Sequence, residues 1–120
     1  MTVEDIREYC IRKKGVTEDF PFDKETLVFK VMGKMFLLMN IRAAETSVNM
    51  KCDPELAVQW REQYESVQPG YHMNKKYWNT VWCAEEFSDR TFYDMIDHSY
   101  EEVMKGMTKK LRNELEQLPC

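Results

Sequence analysis

The chain has 120 residues, of which 43% are hydrophobic and 32% are charged, and its net charge is −4. This composition is typical of one soluble globular domain and excludes a disordered chain. The longest purely apolar run is residues 35–39, far shorter than the ~18 residues of a membrane span. The N-terminus is acidic and lacks the apolar region of a signal peptide. We therefore expect a cytoplasmic protein that does not bind membranes.

The N-terminal part of the chain predicts a helix followed by a loop. A capping-box pattern at Thr2 starts the helix, and Gly15 ends it. Residues 16–25 carry a proline and mixed charges, which predicts a loop. We expect its two aromatic side chains, Phe20 and Phe22, to pack onto the core.

The middle of the chain predicts three strands. Residues 26–41 alternate in polarity on both sides of Gly33-Lys34, and a pair with glycine first is typical of a two-residue hairpin turn. Residues 47–52 predict a third strand. Its apolar face carries Val48, Met50 and Cys52.

The second half begins with a helix that Asp53-Pro54 caps, running to about Tyr64 with Trp60 on its apolar stripe. An extended segment at residues 67–73, broken by a Pro-Gly turn, and a strand at residues 77–83 follow. The last helix starts at Ser88. Five positions at helical spacing predict its buried side: Phe92, Ile96, Ser99, Val103 and Met107.

The predicted order is α-β-β-β-α-β-β-α, which indicates a single α+β domain. Runs of adjacent strands favour an antiparallel sheet, here of about five strands, with helices on one face. We assign residues 1–110 to this domain. Leucines in register predict a further helical piece in the tail, residues 111–120.

The cysteines do not indicate metal or redox chemistry. The four are far apart in the sequence, so no CxxC pair is present: Cys10, Cys52, Cys83 and Cys120. We expect free thiols, the first three of them small buried hydrophobic residues.

Catalytic patterns are also missing. The sequence has two histidines, His72 and His98, and no GxSxG, HExxH or Walker pattern. Its four glycines are scattered singly and form no phosphate cradle. We therefore predict no enzymatic activity, cofactor or metal site, and we expect His98 to make a structural hydrogen bond.

Charge is distributed unevenly. Residues 26–52 and 66–83 contain six basic residues and one acidic residue, whereas the rest of the chain has a balance of −9. The strands and hairpins are therefore predicted to be basic and the helices acidic. A ribbon of basic residues can bind phosphates, and the side chains of asparagine and tyrosine can contact bases. One hypothesis is therefore that the protein binds DNA or RNA. Lysines that protect exposed strands from aggregation are the alternative.

Several stretches resemble, in order and spacing, the MmcQ/YjbR family of small bacterial proteins. They are TVEDIREYC, GVTEDFPF, LVFKVMGKMF, NMKCDPE, PGYHMNKKYWNTV and IDHSYEEVMKG. The resemblance covers about residues 1–110, and PGYHMNKKYWNTV is the most specific block. It implies a fold similar to the frataxin-like (CyaY-like) α+β domains. Family members are described as DNA-binding proteins with a double-wing arrangement of β-hairpins.

The resemblance and the charge pattern together predict a DNA-binding surface on the hairpins. We expect Pro69-Gly70 to set a turn, and Trp78 and Trp82 to anchor one strand face in the core. The predicted nucleic-acid-binding residues are His72, Asn74, Lys75, Lys76, Tyr77 and Asn79, helped by Lys34 and Lys51. For the histidine and the asparagines, satisfying backbone groups around the turn is an alternative role.

The expected partner is double-stranded DNA, which a monomer would bind weakly. Two other functions stay open. One is a protein-interaction module whose basic sheet docks on an acidic partner. The other is an iron site of the frataxin type, which would need an acidic ridge at the following residues: Glu4, Asp5, Glu8, Glu18 and Asp19. That density is ordinary for a helix start, so the sequence does not favour it.

Overall fold

Four helices and six strands follow one another in the computed structural model, which describes residues 1–119. The elements are α1 (Val3–Ile11), β1 (Val16–Asp19), β2 (Thr26–Val31), β3 (Lys34–Asn40), β4 (Ser47–Lys51), α2 (Pro54–Gln63), β5 (Val67–Pro69), β6 (Trp78–Trp82), α3 (Asp89–Lys105) and α4 (Lys109–Gln117). Cys120 lies outside the described residues.

The strands form one sheet in the order β1-β2-β3-β4-β6-β5, and each neighbouring pair is antiparallel. The helices cover one face, and the main core lies between them and the sheet. The largest fully buried side chains of this core include Ile6, Phe29, Phe36, Met95 and Ile96. The prediction of an α+β domain with an antiparallel sheet and helices on one face is confirmed, with one strand more than expected.

The additional strand is β1, which we predicted as part of a loop. It pairs with β2, from Val16 opposite Val31 onward. Its inner side carries Glu18, whose carboxylate forms an ion pair at 2.5 Å with Arg7 of α1. A short edge strand with a charge on its inner side lacks the apolar alternation by which a strand is recognised.

The loop after β1 also differs from the prediction. Phe20 and Phe22 are 43% and 64% exposed, so their expected packing onto the core is wrong. Asp23 closes a turn here, because its Oδ1 accepts hydrogen bonds from the backbone N–H groups of Glu25 and Thr26 at 2.8 and 2.7 Å. The turn leads directly into β2 and leaves both rings at the surface.

The hairpin turn between β2 and β3 lies one residue earlier than predicted. Its central residues are Met32 and Gly33, with φ of 50° and 82°. Positive φ at both positions is what a type I′ turn requires, and this turn matches the twist of the strands. Phe36 has no partner in the register between β2 and β3, so β3 carries a bulge that the sequence pattern did not reveal.

The helix starts are as predicted. Thr2 makes a capping box with Asp5, Asp53 caps α2 ahead of a proline, and Ser88 caps α3. The five residues of the predicted row are buried, four of them on α3, whereas Met107 lies just after the end of the helix. Trp60, on the predicted apolar stripe of α2, is half-buried.

The predicted helical piece in the tail is α4. Thr108 caps it, and Leu115 is buried in the main core. A Cβ on Gly15 would lie 2.5 Å from a Leu115 methyl group, so the loop before β1 and α4 are in close contact.

The tryptophans of β6 face the side opposite to the one predicted. Val81 lies opposite Val48 and Val67, and all three belong to the main core, so Asn79 and Val81 face the helices. The other side of β6 therefore carries both tryptophans. Trp78 is buried there in a second, smaller cluster with Val28 and Leu38, whereas Trp82 is half-buried. We call this side of the sheet the open face.

Candidate nucleic-acid interface

One end of the sheet gathers lysines from separate parts of the chain. Antiparallel pairing brings the turn between β2 and β3, the last residues of β4 and the first residues of β6 to the same end, where Lys51 lies opposite Trp78. We call residues 30–36, 50–52 and 70–78 the basic end. They contain no acidic residue and five lysines: Lys30, Lys34, Lys51, Lys75 and Lys76.

The opposite end of the same strands is acidic. It consists of residues 19–26, 40–47, 64–67 and 82–88, which we call the acidic end. These segments contain seven acidic and two basic residues. The charge of the sheet is therefore separated along the direction of the strands. Comparing the net charge of the strands with that of the helices did not reveal this pattern.

The loop of residues 70–77, between β5 and β6, is held by hydrogen bonds to its own domain. The Gly70 N–H donates to the Trp78 carbonyl at 2.9 Å, and Lys75 Nζ donates to the Gly70 carbonyl at 3.0 Å. The Tyr71 N–H donates to Thr80 Oγ1 at 2.9 Å. The loop therefore has a defined shape, although most of its side chains are exposed.

Arg61 of α2 fastens the same loop from the helix side. Its Nε donates to Asn79 Oδ1 at 2.6 Å, and its guanidinium also donates to the carbonyl of Lys75. Asn79 Nδ2 in turn donates to the Ala57 carbonyl at 3.3 Å. Asn79 is only 1% exposed, so the prediction that the hairpin presents it for binding is wrong. It acts as scaffold because strand alternation turns it toward the helices.

Sequence reasoning missed Arg61. Its partners lie 14 and 18 residues away in the chain, so no local pattern marks the contact. A basic residue in the last turn of α2 is explained as well by the helix dipole, which favours a positive charge there.

The loop presents aromatic and basic groups to the outside. Tyr71 and Tyr77 are 68% and 39% exposed, and Lys76 Nζ lies 5.4 Å from the centroid of the Tyr77 ring. The His72 ring lies 4.0 Å from that of Tyr71, and His72 has a φ of 59°. Asn74 is exposed, but its Oδ1 accepts the backbone N–H of Lys76 at 2.9 Å and closes a local turn.

Lys34 and Lys51 share a shallow depression of about 340 Å³. Met35 and Trp78 line it together with the C-terminal end of α3. Neither lysine makes an ion pair with residues 1–119, and the same holds for Lys76, whereas Lys30 pairs with Asp19 at 3.7 Å. Three ammonium groups at this end are therefore available to an anionic ligand.

His98 makes the structural hydrogen bond expected of it. Its Nε2 accepts the backbone N–H of Asp53 at 3.1 Å, and its ring packs edge-to-face on Trp60 at 5.3 Å. Burial lowers the pKa of His98, which favours the neutral form that can accept this bond.

Four of the five acidic residues considered for iron have other partners, among them Glu8, which pairs with Arg12, and Asp19, which pairs with Lys30. Asp5 completes the cap of α1, and Glu18 is paired with Arg7. Within residues 1–119, no three histidine, cysteine or acidic side chains lie close enough to hold a metal ion. In the same part of the chain, no helix is long and apolar enough to cross a membrane.

Cys10, Cys52 and Cys83 are free thiols. Burial raises the pKa of Cys10 and of Cys52 to about 12, and that of Cys83 to about 11. Cys10 and Cys52 are buried as predicted, whereas Cys83 is half-buried.

Fold and surface together define a small α+β domain whose antiparallel sheet carries a basic and an acidic end. A model of the YjbR family matches residues 11–102. YbdF of Escherichia coli O157:H7 is 38% identical over 91 residues, covering 76% of this chain and 75% of YbdF. YjbR of Escherichia coli (strain K12) is 30% identical over 118 residues, covering 98% of this chain and 100% of YjbR.

A solved structure indicates the same family as the relatives found by sequence. The crystal structure of Deinococcus radiodurans protein DR2400, with the domain DUF419, superposes with a TM-score of 0.87 at 39% identity. The match covers 98% of this chain and 89% of that one. The chain belongs to the YjbR family, as the six stretches of resemblance predicted.

Proposed function

We propose that the basic end of the sheet binds DNA, in the cytoplasm and without catalysis. The observation that carries the proposal is that the segments of the basic end contain five lysines and no acidic residue, in a chain with a net charge of −4. Within residues 1–119, only Lys30 of these lysines is paired with a carboxylate, that of Asp19. Lysine ammonium groups bind phosphates, and such contacts supply most of the affinity of non-specific complexes. The acidic end would face away from the phosphates.

The arrangement of the hairpins supports the same proposal. The tip of the β2–β3 hairpin and the loop of residues 70–77 project from one end of the sheet, with β4 between them. In the proposed binding mode, these two projections, separated by one strand, would act as the two wings of a double wing. The depression shared by Lys34 and Lys51 lies between these projections.

Few charges are engaged, so we expect weak binding by a monomer. The ammonium group of Lys75 already donates to the Gly70 carbonyl, which leaves Lys34, Lys51 and Lys76 as the main phosphate contacts. Three or four such contacts correspond to a dissociation constant on the order of micromolar at moderate salt. Useful affinity would then require a dimer or a partner protein.

The test compares two double variants that have the same net charge. Lys34→Gln/Lys76→Gln removes two charges from the basic end, and Lys24→Gln/Arg42→Gln removes two exposed charges from the acidic end. Each is titrated with the same duplex at several salt concentrations. The basic-end variant should bind more weakly, and its log–log salt slope should be smaller by about 0.9 for each phosphate that the protein no longer neutralises.

The control variant should keep both the affinity and the slope of the parent protein. If both variants and the parent bind equally with equal slopes, the basic end is not a DNA-binding surface. The alternative function, a module that docks on an acidic protein, would then take its place.

A further inference from the structure

Two exposed tyrosines lie among the lysines of the basic end. Tyr71 is 68% exposed and Tyr77 is 39% exposed. Contacts to phosphates do not require an aromatic ring. Exposing two aromatic rings to water in one loop does not stabilise a folded domain. Their presence indicates a ligand that offers flat apolar surfaces as well as negative charge.

Both rings are attached to a fixed backbone. The Tyr71 N–H donates to Thr80 Oγ1, and the Tyr71 carbonyl accepts Asn49 Nδ2 at 3.4 Å. The Tyr77 carbonyl accepts the backbone N–H of Cys52 at 2.8 Å. Because the loop is ordered before any ligand arrives, stacking on these rings costs little conformational entropy.

His72 supports the ring of Tyr71 from one side. Its φ of 59° lies in the left-handed region, which a non-glycine residue occupies at a cost. In this conformation the centroid of its ring lies 4.0 Å from that of Tyr71, with the two planes tilted by 51°, so His72 packs against one side of the Tyr71 ring. The 68% exposure of Tyr71 leaves its other side open to a ligand. Lys76 Nζ lies near the ring of Tyr77, which places a positive charge next to the second stacking surface.

We propose that Tyr71 and Tyr77 stack on unpaired bases, so that the preferred ligand of the basic end is a single strand. This inference rests on the proposed nucleic-acid binding. Lysine contacts to phosphates form with a duplex and with a single strand alike, but the faces of the bases are accessible only when they are unpaired and unstacked. The combination of a basic surface with aromatic platforms is how proteins hold single strands without reading their sequence.

The experiment measures the binding of a fluorescently labelled single strand of about 12 nucleotides, as DNA and as RNA, and of the matching duplex DNA. The variants are Tyr71→Ala/Tyr77→Ala and Tyr71→Phe/Tyr77→Phe. The control is Phe20→Ala/Phe22→Ala, which removes two exposed rings from the acidic end. The parent protein should bind the single strands more tightly than the duplex.

The alanine variant should lose about tenfold in single-strand affinity for each ring removed, with an unchanged salt slope. The phenylalanine variant should keep its affinity because a phenyl ring stacks as well, and the control should bind like the parent. Such a result would establish stacking on unpaired bases.

Two other outcomes are distinct. If the parent binds duplex at least as tightly as single strands and the alanine variant is unaffected, while Lys34→Gln/Lys76→Gln weakens binding, the inference is overturned and the proposed function stands. If the parent binds none of the three probes, the proposed function fails and the inference fails with it.

Discussion

The basic and acidic ends of the sheet are built from the same strands, yet they differ in charge and in how their loops are held. At the basic end, the loop of residues 70–77 is fixed by Arg61 and by internal hydrogen bonds. At the acidic end, the turn before β2 is closed mainly by Asp23 and leaves Phe20 and Phe22 exposed. One end has a charged loop of defined shape, whereas the other has a short solvent-facing turn.

This difference shows that the direction in which the chain runs through the sheet decides at which end a charged loop lies. Along antiparallel strands, successive connections alternate between the two ends of the sheet. Lysines placed in every second connection therefore meet at one end, although they are far apart in the sequence. Net charge averages the two ends and hides both of them.

The largest effect should come from Gly70 at the basic end. A Cβ at this position would lie 2.8 Å from the Trp78 Cβ and 2.9 Å from its carbonyl oxygen, so the backbone must shift. We expect Gly70→Ala to lower the free energy of unfolding by about 3 kcal/mol, measured by urea denaturation.

Gly33→Ala is the matched substitution. Its Cβ would meet nothing within 4 Å, so only the φ of 82° opposes it, and the cost should be about 1 kcal/mol. If Gly70→Ala cost no more than Gly33→Ala, the loop would not have the defined shape described for the basic end.

The next effect concerns the contact between Arg61 and Asn79. Arg61→Ala leaves the buried Asn79 oxygen without its donor, and Asn79→Ala removes the acceptor, so each should cost about 1–3 kcal/mol. The double variant should cost less than the sum, with a coupling energy of about 1–2 kcal/mol from a double-mutant cycle.

The acidic end offers the comparison for this cycle. The Glu86 carboxylate accepts the backbone N–H groups of Glu65 and Ser66 at 2.9 Å, but at the surface, where water can replace it. Glu86→Ala should therefore destabilise less than Arg61→Ala. Additive single costs at Arg61 and Asn79 would show that the loop is not held by this contact.

The smallest effect is a difference in pH dependence between the two ends. His98 accepts the backbone N–H of Asp53, the residue that follows the basic end. Burial lowers the pKa of His98 below its ordinary value of 6.5. The unfolded chain therefore takes up this proton first, and stability falls as the pH drops below 6.5 toward the pKa of the folded state. At the acidic end, backbone hydrogen bonds lower the pKa of Glu86 from 4.5, so its contribution is lost only in a more acidic range.

Urea midpoints measured from about pH 8 downward separate the two ranges. His98→Gln should remove the dependence that begins near pH 6.5 and leave the acidic range unchanged, whereas Glu86→Gln should do the opposite. Identical pH dependence of the parent and His98→Gln below pH 6.5 would contradict the assignment.

Much of the fold could be predicted because its signals are local. Cap residues such as Thr2, Asp53 and Ser88 act on backbone groups two or three residues away, and the apolar row of α3 repeats within one helix. The edge strand β1 was not predicted because the carboxylate on its inner side, that of Glu18, pairs with Arg7, eleven residues earlier in the chain. Nothing within β1 itself indicates that partner.

The candidate site was predictable in part for the same reason. The sequence marks residues 69–79 as basic and aromatic, but it does not say which strand face meets the helices. Trp78 was expected on the core face and Asn79 at the surface. In the structure both are buried, Asn79 on the helix side of the sheet and Trp78 in the smaller cluster on the other side. The pairing of β6 with β4 and β5 determines which side chains of β6 face the helices. The sequence of one β-strand does not show which strands will pair with it.

The separated charges also give the molecule an electric dipole along its strands. Near a polyanion, the field would turn the domain before contact, drawing the basic end inward and pushing the acidic end outward. A short-lived encounter would then begin in one orientation instead of sampling all of them. Added salt would remove this alignment over distances beyond about 10 Å, so the approach itself would become slower and less directed as ionic strength rises.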